Sequence, residues 1–428
     1  MSFRPIAAAV VVALLCAARA QAGEADPSVF TLRSYGTFGV VHSSETEADY
    51  ILGIQMPEGA GHTHSWDWGV DSKIAVQVDA RISDKLSAVV QLVSERRYDG
   101  DYGPDLEWAN LKYQVTDDLS VRVGRVVMPF FMLSDFRKVG YATPWVRPPV
   151  EVYGQVPINN TDGIDASYSF RVGKVQTTLQ AIYGEITGNI PVASFTARDM
   201  VDLNATLVYG PATLRLGYFQ QRLDAHMPTE PLFDAFNDFG AALSTVPDPI
   251  VQDVGAEARA IYERYQSINK VYQLLNVGMT YDDGQWLAMS EWTLARSHSI
   301  IRDTTSWYAT VGRRVGPFTP YVSFARERED TAKSDQGLTV ASLPPGVLSE
   351  AAGALNGALN GVLTFLITGQ KTATLGVRWD FMRTAALKLQ YDRVSLDSGS
   401  AGFFVNLQPG FERGGAANVV SVNVDYAF

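Results

Sequence analysis

One pattern governs what this chain can fold into: short runs of alternating apolar and polar residues, joined by turns and loops in strict succession. Lys73-Ile-Ala-Val-Gln-Val-Asp-Ala-Arg-Ile82 shows it clearly. Ile74, Val76, Val78, Ala80 and Ile82 fall on one face of an extended strand, and Lys73, Gln77, Asp79 and Arg81 on the other, because strand side chains alternate with period two. The final residues repeat it, with Val420, Val422, Val424, Tyr426 and Phe428 against Ser421, Asn423, Asp425 and Ala427. A tilted strand of about 9–11 residues with one apolar and one polar face suits a bilayer-spanning barrel wall.

The pattern predicts sixteen strands, near 31–41, 73–82, 86–95, 106–115, 119–126, 163–170, 174–184, 199–209, 212–221, 269–281, 285–296, 305–314, 318–326, 371–380, 386–394 and 417–428. Turn residues such as Ser83-Asp84-Lys85, Gly210-Pro211 and Asp282-Asp283-Gly284 close one end of the strand pairs. Long loops at about 42–72, 96–105, 127–162, 185–198, 222–268, 297–304, 327–370 and 395–416 close the other. Short turns on one rim and long loops on the opposite rim point to an all-β, antiparallel, up-and-down transmembrane barrel. Aromatic residues near strand ends, among them Tyr113, Tyr168, Tyr209, Tyr281, Trp286, Trp379 and Tyr391, sit where interfacial belts would lie.

Residues 1–22 read as an export signal: Arg4, an apolar run from Ile6 to Ala18, and Ala20-Gln21-Ala22 as the cleavage site. The remainder, 23–428, is then one barrel domain without cysteine, and its first strand follows too closely for a hatch domain to precede it. Losing Arg4 and Arg19 leaves 33 basic against 46 acidic residues, a net charge of −13. Such an acidic chain speaks against nucleic acid as a partner; with Asp79, Glu95, Asp165, Asp202, Glu291, Asp380, Asp392 and Asp425 also at inward parity, it predicts a weak preference for cations.

No Gly-x-Ser-x-Gly elbow, His-Glu-x-x-His pair or phosphate loop is present, and the five histidines (42, 62, 64, 226 and 298) lie in or beside long loops. Neither an enzyme nor a cofactor is expected. His62 and His64 with Asp67 and Asp71 are a weak divalent-metal pattern, so no metal site is assigned.

The strand order, the long third loop and the aromatic terminus together resemble the sixteen-stranded porins of Gram-negative outer membranes, over essentially the whole exported chain. The closing Tyr426-Ala427-Phe428 is similar to the terminal signal read by the outer-membrane assembly machinery. The resemblance implies a homotrimer in outer-membrane lipid, passing ions and small hydrophilic solutes by passive diffusion. It further implies that the third loop folds into the lumen. That loop is rich in aromatic and apolar residues, but carries Pro144-Trp145-Val146-Arg147-Pro148-Pro149 where porins have a Pro-Glu-Phe-Gly-Gly type tip, which marks a divergent subgroup. Arg33, Lys112 and Arg122 have lumen-facing parity, and the loop offers Asp135, Arg137, Arg147 and Glu151. Opposed charges across a constriction would set up a transverse field selecting small polar solutes. The alternative is a substrate-specific passive channel for sugar, phosphate or dicarboxylate, gated by the outer loops 222–268 and 327–370, in which helices are expected around Pro249–Tyr265 and over Ser349–Ile367. A sugar channel needs an aromatic row, and Tyr35, Trp108 and Phe219 are too few to favour it.

Overall fold

The computed structural model describes residues 29–156 and 158–428; the expected export signal lies outside them. Sixteen long strands form a closed antiparallel barrel. They are β1 (Phe30–Ser43), β2 (Lys73–Arg81), β3 (Leu86–Glu95), β4 (Asp105–Gln114), β5 (Leu119–Val127), β6 (Asn160–Val172), β7 (Val175–Ile190) and β8 (Ala193–Tyr209). The remainder are β9 (Ala212–His226), β10 (Lys270–Asp282), β11 (Trp286–Arg296), β12 (Thr304–Arg313), β13 (Phe318–Glu329), β14 (Gln370–Met382), β15 (Ala385–Leu396) and β16 (Ala416–Ala427). Each strand pairs with the next. β1 closes on β16 from Tyr35↔Ala427 to Ser43↔Val419, and Phe428 exchanges backbone hydrogen bonds with Ser34 at 2.8 and 3.1 Å. Closure leaves no strand edge unpaired, which a wall in hydrocarbon requires.

The two faces differ as the alternation predicts. Leu216, Val277, Met279, Val322, Leu375 and Leu389 are exposed on one face. On the other, Asp165, Asp202, Glu291, Lys388, Asp392 and Asp425 are at most 2% exposed. A band of exposed apolar residues on consecutive strands is unfavourable in water and favourable against lipid. Turns at the short-turn rim are local constructions: at 282–286, Gly284 takes φ 88°, while Asp282 and Asp283 accept hydrogen bonds from the backbone N–H groups of Gly284, Gln285 and Trp286.

All sixteen predicted strands are present, but one predicted loop is not. Instead of a loop over 185–198, β7 and β8 run on to Ile190 and from Ala193, joined at Pro191-Val192. The extension pairs Ile186 with Ala197 through Ile190 with Ala193, and register shifts at Gly184/Ile186 and Arg198/Val201 set it off from the wall below. Its alternation is regular, with Ile186, Ile190, Phe195 and Ala197 on one face and Thr187, Asn189, Ser194 and Thr196 on the other, but Gly188 and Pro191 interrupt it and read as turn residues.

Three helices cap the long-loop rim: α2 (Glu230–Leu243), α3 (Pro249–Tyr265) and α4 (Val347–Phe365). α3 occupies the predicted span, with Asp248 accepting from the Ile250 N–H at 2.9 Å and Pro249 at its first position. Phe233, Phe236, Val254, Ala258, Ile261, Leu359 and Leu363 bury one another between the three. Arg264 and Tyr265 donate to Asp335 at 2.7 and 2.8 Å, tying the two long loops together.

Candidate functional site

The segment between β5 and β6, residues 128–159, packs on the polar face of the barrel rather than over its rim. Its apolar residues are the reason. Phe130, Phe131, Leu133, Trp145 and Val152 are at most 2% exposed, covered by wall residues Ile182, Met200, Phe219, Leu274, Tyr308 and Tyr321. Phe130 meets Phe219 edge-on at 4.4 Å and Trp145 meets Tyr308 at 5.7 Å. Burying each such side chain removes about 1.5–3 kcal/mol of exposed apolar surface cost.

Polar contacts fix the segment at several points around the wall. The Trp145 indole N–H donates to Thr310 Oγ1 at 3.1 Å, and the Val146 N–H to Gln390 Oε1 at 3.0 Å. Lys388, wholly buried on β15, donates to the carbonyls of Gly140 and Trp145, each at 2.6 Å, and pairs with Asp425 at 2.8 Å. Gly140 permits this approach, since a Cβ there would lie 2.2 Å from Asp425 Oδ1. The Tyr153 hydroxyl donates to Glu291 Oε2 at 2.6 Å, and Glu291 Oε1 accepts from the Met132 N–H at 2.7 Å. A short helix, α1 (Val150–Tyr153), presents the Glu151 carboxylate to Gln370 Nε2 at 2.7 Å and to the Thr372 hydroxyl. On the opposite side Lys138 donates to Glu95 at 2.7 Å and Glu107 at 2.8 Å, on β3 and β4.

The ionisable groups of the segment respond to this burial. Burial lowers the Lys138 ammonium, but Glu107 and Glu95 outweigh it and hold the group well above its ordinary value. For Arg147 the same opposition, burial against Asp71, ends well above the ordinary guanidinium value. Burial pushes the Glu151 carboxyl up despite the hydrogen bonds from Thr372 and Gln370. Arg137, buried with only a 3.4 Å bond to the Tyr153 carbonyl, is held below its ordinary value.

The residues expected to carry the constriction separate into two groups. Arg147, Glu151 and Arg137 are anchors inside the packed segment. Asp135 is exposed and faces Arg215 of β9 at 3.5 Å. Arg33, Lys112 and Arg122 lie on β1, β4 and β5; Arg33 pairs with Asp79 at 3.4 Å and Arg122 with Asp165. The loop carboxylates Asp135 and Glu151 therefore bond to walls other than the one carrying these three cations. Asp71, Lys388 and Glu291 are contacts that sequence reasoning missed as anchors; parity marked Glu291 as inward but gave no partner. The candidate metal cluster does not assemble. Asp71 is taken by Arg147, Asp67 pairs with Arg96 at 2.9 Å, and His64 lies 3.5 Å from Glu58. Among the described residues no group of three or more His, Cys, Asp or Glu is placed to hold an ion.

No protein-family model and no curated protein matches the chain. Solved structures do match its fold. The outer membrane channel DcaP of Acinetobacter baumannii aligns with TM-score 0.53 at 10% identity, over 94% of this chain and 99% of that one. The anion-selective porin from Comamonas acidovorans aligns with TM-score 0.50 at 12% identity, over 93% and 99%. At such identity the likeness is one of fold: a closed sixteen-stranded barrel of porin type.

Proposed function

We propose that the chain is an outer-membrane channel of porin type. Its polar face is a water-filled lumen, the segment 128–159 folds through that lumen as a constriction, and ions and small hydrophilic solutes diffuse past it. One observation carries this reading: a single loop is bonded to inward-parity residues of β3, β4, β11, β12, β14 and β15 at once. A loop closing the rim from outside has no access to that face. A homotrimer, delivery by the 1–22 signal and insertion through Tyr426 and Phe428 belong to the same proposal, supported by the fold likeness and by the exposed Leu32, Phe38 and Ile74 on β1 and β2. No catalysis is assigned to it.

The ion preference we infer is for anions, reversing the expectation from net charge. Most inward acids have a cation beside them: Asp79 has Arg33, Asp165 has Arg122, Asp380 has Arg378 and Asp425 has Lys388, while Glu95 shares Lys138 with Glu107 and Asp392 shares Arg147 with Asp71. Asp202 and Glu291 are buried without an ion pair among the described residues. The side chains of Arg81 and Lys112, exposed at the same parity, have no hydrogen bond or ion pair among the described residues. What a passing ion meets is the uncompensated charge, not the total.

A second reading, a substrate-specific passive channel admitted through its outer loops, is favoured by the helical cap, whose α2, α3 and α4 share an apolar core of their own. Planar-bilayer recording of the purified protein separates the two. Stepwise openings at low voltage fit the open channel; openings only after removal of 340–368 fit the gated one.

A further inference from the structure

On the short-turn side of the constriction loop lies a cavity of about 670 Å³, bounded by the loop from Met132 to Pro144 and by walls of β7 to β14. We propose that it is a binding subsite for small organic anions that join a carboxylate to an apolar body, with Arg215 as the anchor for the carboxylate. The inference rests on reading the polar face as a lumen, and deepens that reading by naming a solute class.

Three arginines line the cavity, and two of them are fully matched. Arg314 is paired with Asp282, Nη2 to Oδ2 at 2.7 Å. Arg378 donates to Asp380 at 2.9 and 2.7 Å and to the Thr143 carbonyl at 3.0 Å. Arg215 is different. It is only 6% exposed, its Nη1 has the Phe131 carbonyl at 3.3 Å and Asp135 at 3.5 Å, and its Nε has no partner. The Nε has no accessible surface of its own, whereas Nη2 makes no hydrogen bond and is not enclosed, so an arriving carboxylate would gain charge-assisted bonds at Nη2, in competition with the buried Asp202 and Glu291 nearby. Asp135 is a weak competitor: its side chain is 48% exposed and lies beyond good hydrogen-bonding distance.

The rest of the lining sets the solute's body. Met132, Leu133, Leu287 and Met289, each at most 8% exposed, form an apolar floor beside Arg215. They sit among Thr178, Thr206, Thr213, Thr280 and Thr319, so the wall offers apolar contact and hydroxyls together. A volume of this size falls in the range of small-molecule sites, which combine apolar walls with few polar anchors. The unpartnered Oδ1 atoms of Asn204 and Asn276 are not in the cavity wall, so a solute there meets the arginine and not these acceptors.

Isothermal titration of the folded barrel in detergent, against a micelle blank, tests the assignment with hexanoate, acetate and hexylammonium as probes. Hexanoate is expected to bind at least about tenfold more tightly than either comparator, given the value of each buried methylene. Arg215→Gln is expected to weaken hexanoate about tenfold, and Asp135→Asn, which frees the guanidinium without removing it, to tighten it. Both variants are first checked for folding by heat-modifiable gel mobility. Hexylammonium binding as well as hexanoate, hexanoate binding unchanged in Arg215→Gln, or no binding to the folded wild type would each overturn the proposal. Because the titration needs no current, a barrel that conducts but does not bind refutes this subsite alone. A barrel that binds but does not conduct refutes the open channel alone.

Discussion

Arg147 of the segment between β5 and β6 and Asp71 of the first loop form a bidentate ion pair, Nε to Oδ1 at 2.9 Å and Nη2 to Oδ2 at 2.6 Å, with both side chains at most 4% exposed. The same guanidinium donates to Ser421 Oγ at 2.6 Å and lies 3.3 Å from Asp392, so one side chain joins the loop to β15, β16 and the approach to β2. Removing it leaves two buried carboxylates without a cation. Arg147→Ala is expected to cost about 3–5 kcal/mol, read as a lower temperature for the heat-modifiable gel shift. It is also expected to make single-channel current larger and noisier, as the loop loses its fixed position. Arg147→Lys should rescue only part, since an ammonium cannot reproduce the fork.

Tyr153→Phe tests the loop's other end. It removes the donor to Glu291 and the acceptor of the Leu133 N–H, 3.3 Å away, while keeping the ring against Phe131. A loss of about 1–3 kcal/mol in the same thermal assay is expected for buried groups left unsatisfied; an unchanged transition would mean the contact carries no weight.

The inferred anion preference is checked by reversal potentials in a potassium chloride gradient. Arg81→Glu with Lys112→Glu, on exposed side chains of inward parity, should move the reversal potential towards cation selectivity without altering thermal stability beyond about 0.5 kcal/mol. A wild-type channel already selective for cations would contradict the account of compensated acids.

Acid should loosen the cap. Burial raises the Asp335 carboxyl, but the Gly337 N–H, Tyr265 and Arg264 outweigh it and hold it below its ordinary value of 3.8. A carboxyl depressed in the folded state contributes stability that is complete above its unfolded value and lost as pH falls through the folded one. Proteolysis within 327–346 should therefore be slow at neutral pH and accelerate below about pH 4. Asp335→Asn should show the fast rate at neutral pH.

Deleting Phe428 removes both of its backbone hydrogen bonds to Ser34 and the ring beside Tyr426 at 5.6 Å. Folded barrel in the outer membrane is expected to fall severalfold. Equal yield would remove the terminal aromatic from the insertion proposal.

How much of this was legible in sequence follows from the range of each interaction. Strand identity is local: Ile74 to Ile82 alternates within itself, and all sixteen strands are found near their expected positions. α3 was legible because Asp248 and Pro249 mark its start within the segment. The 185–198 hairpin was not, because Gly188 and Pro191 read as turn residues inside the alternation of Ile186, Ile190 and Phe195 with Thr187, Asn189 and Thr196. α2 was missed although Phe233, Phe236, Gly240 and Leu243 recur at helical spacing and are buried, chiefly against α3 of the same loop. The partners of the site residues were hidden by their dependence on distant contacts. Parity correctly put Asp392 and Glu291 on the inward face, but nothing local to Arg147 says that Asp71 is its partner.

The central claim is that a water-filled path survives beside the packed loop. Single-channel conductance in a planar bilayer, in potassium chloride, tests it directly. Discrete steps, grouped in threes for a trimer and larger in Arg147→Ala, are the predicted result. A correctly folded barrel, confirmed by its gel mobility, that gives no steps in either form would contradict it.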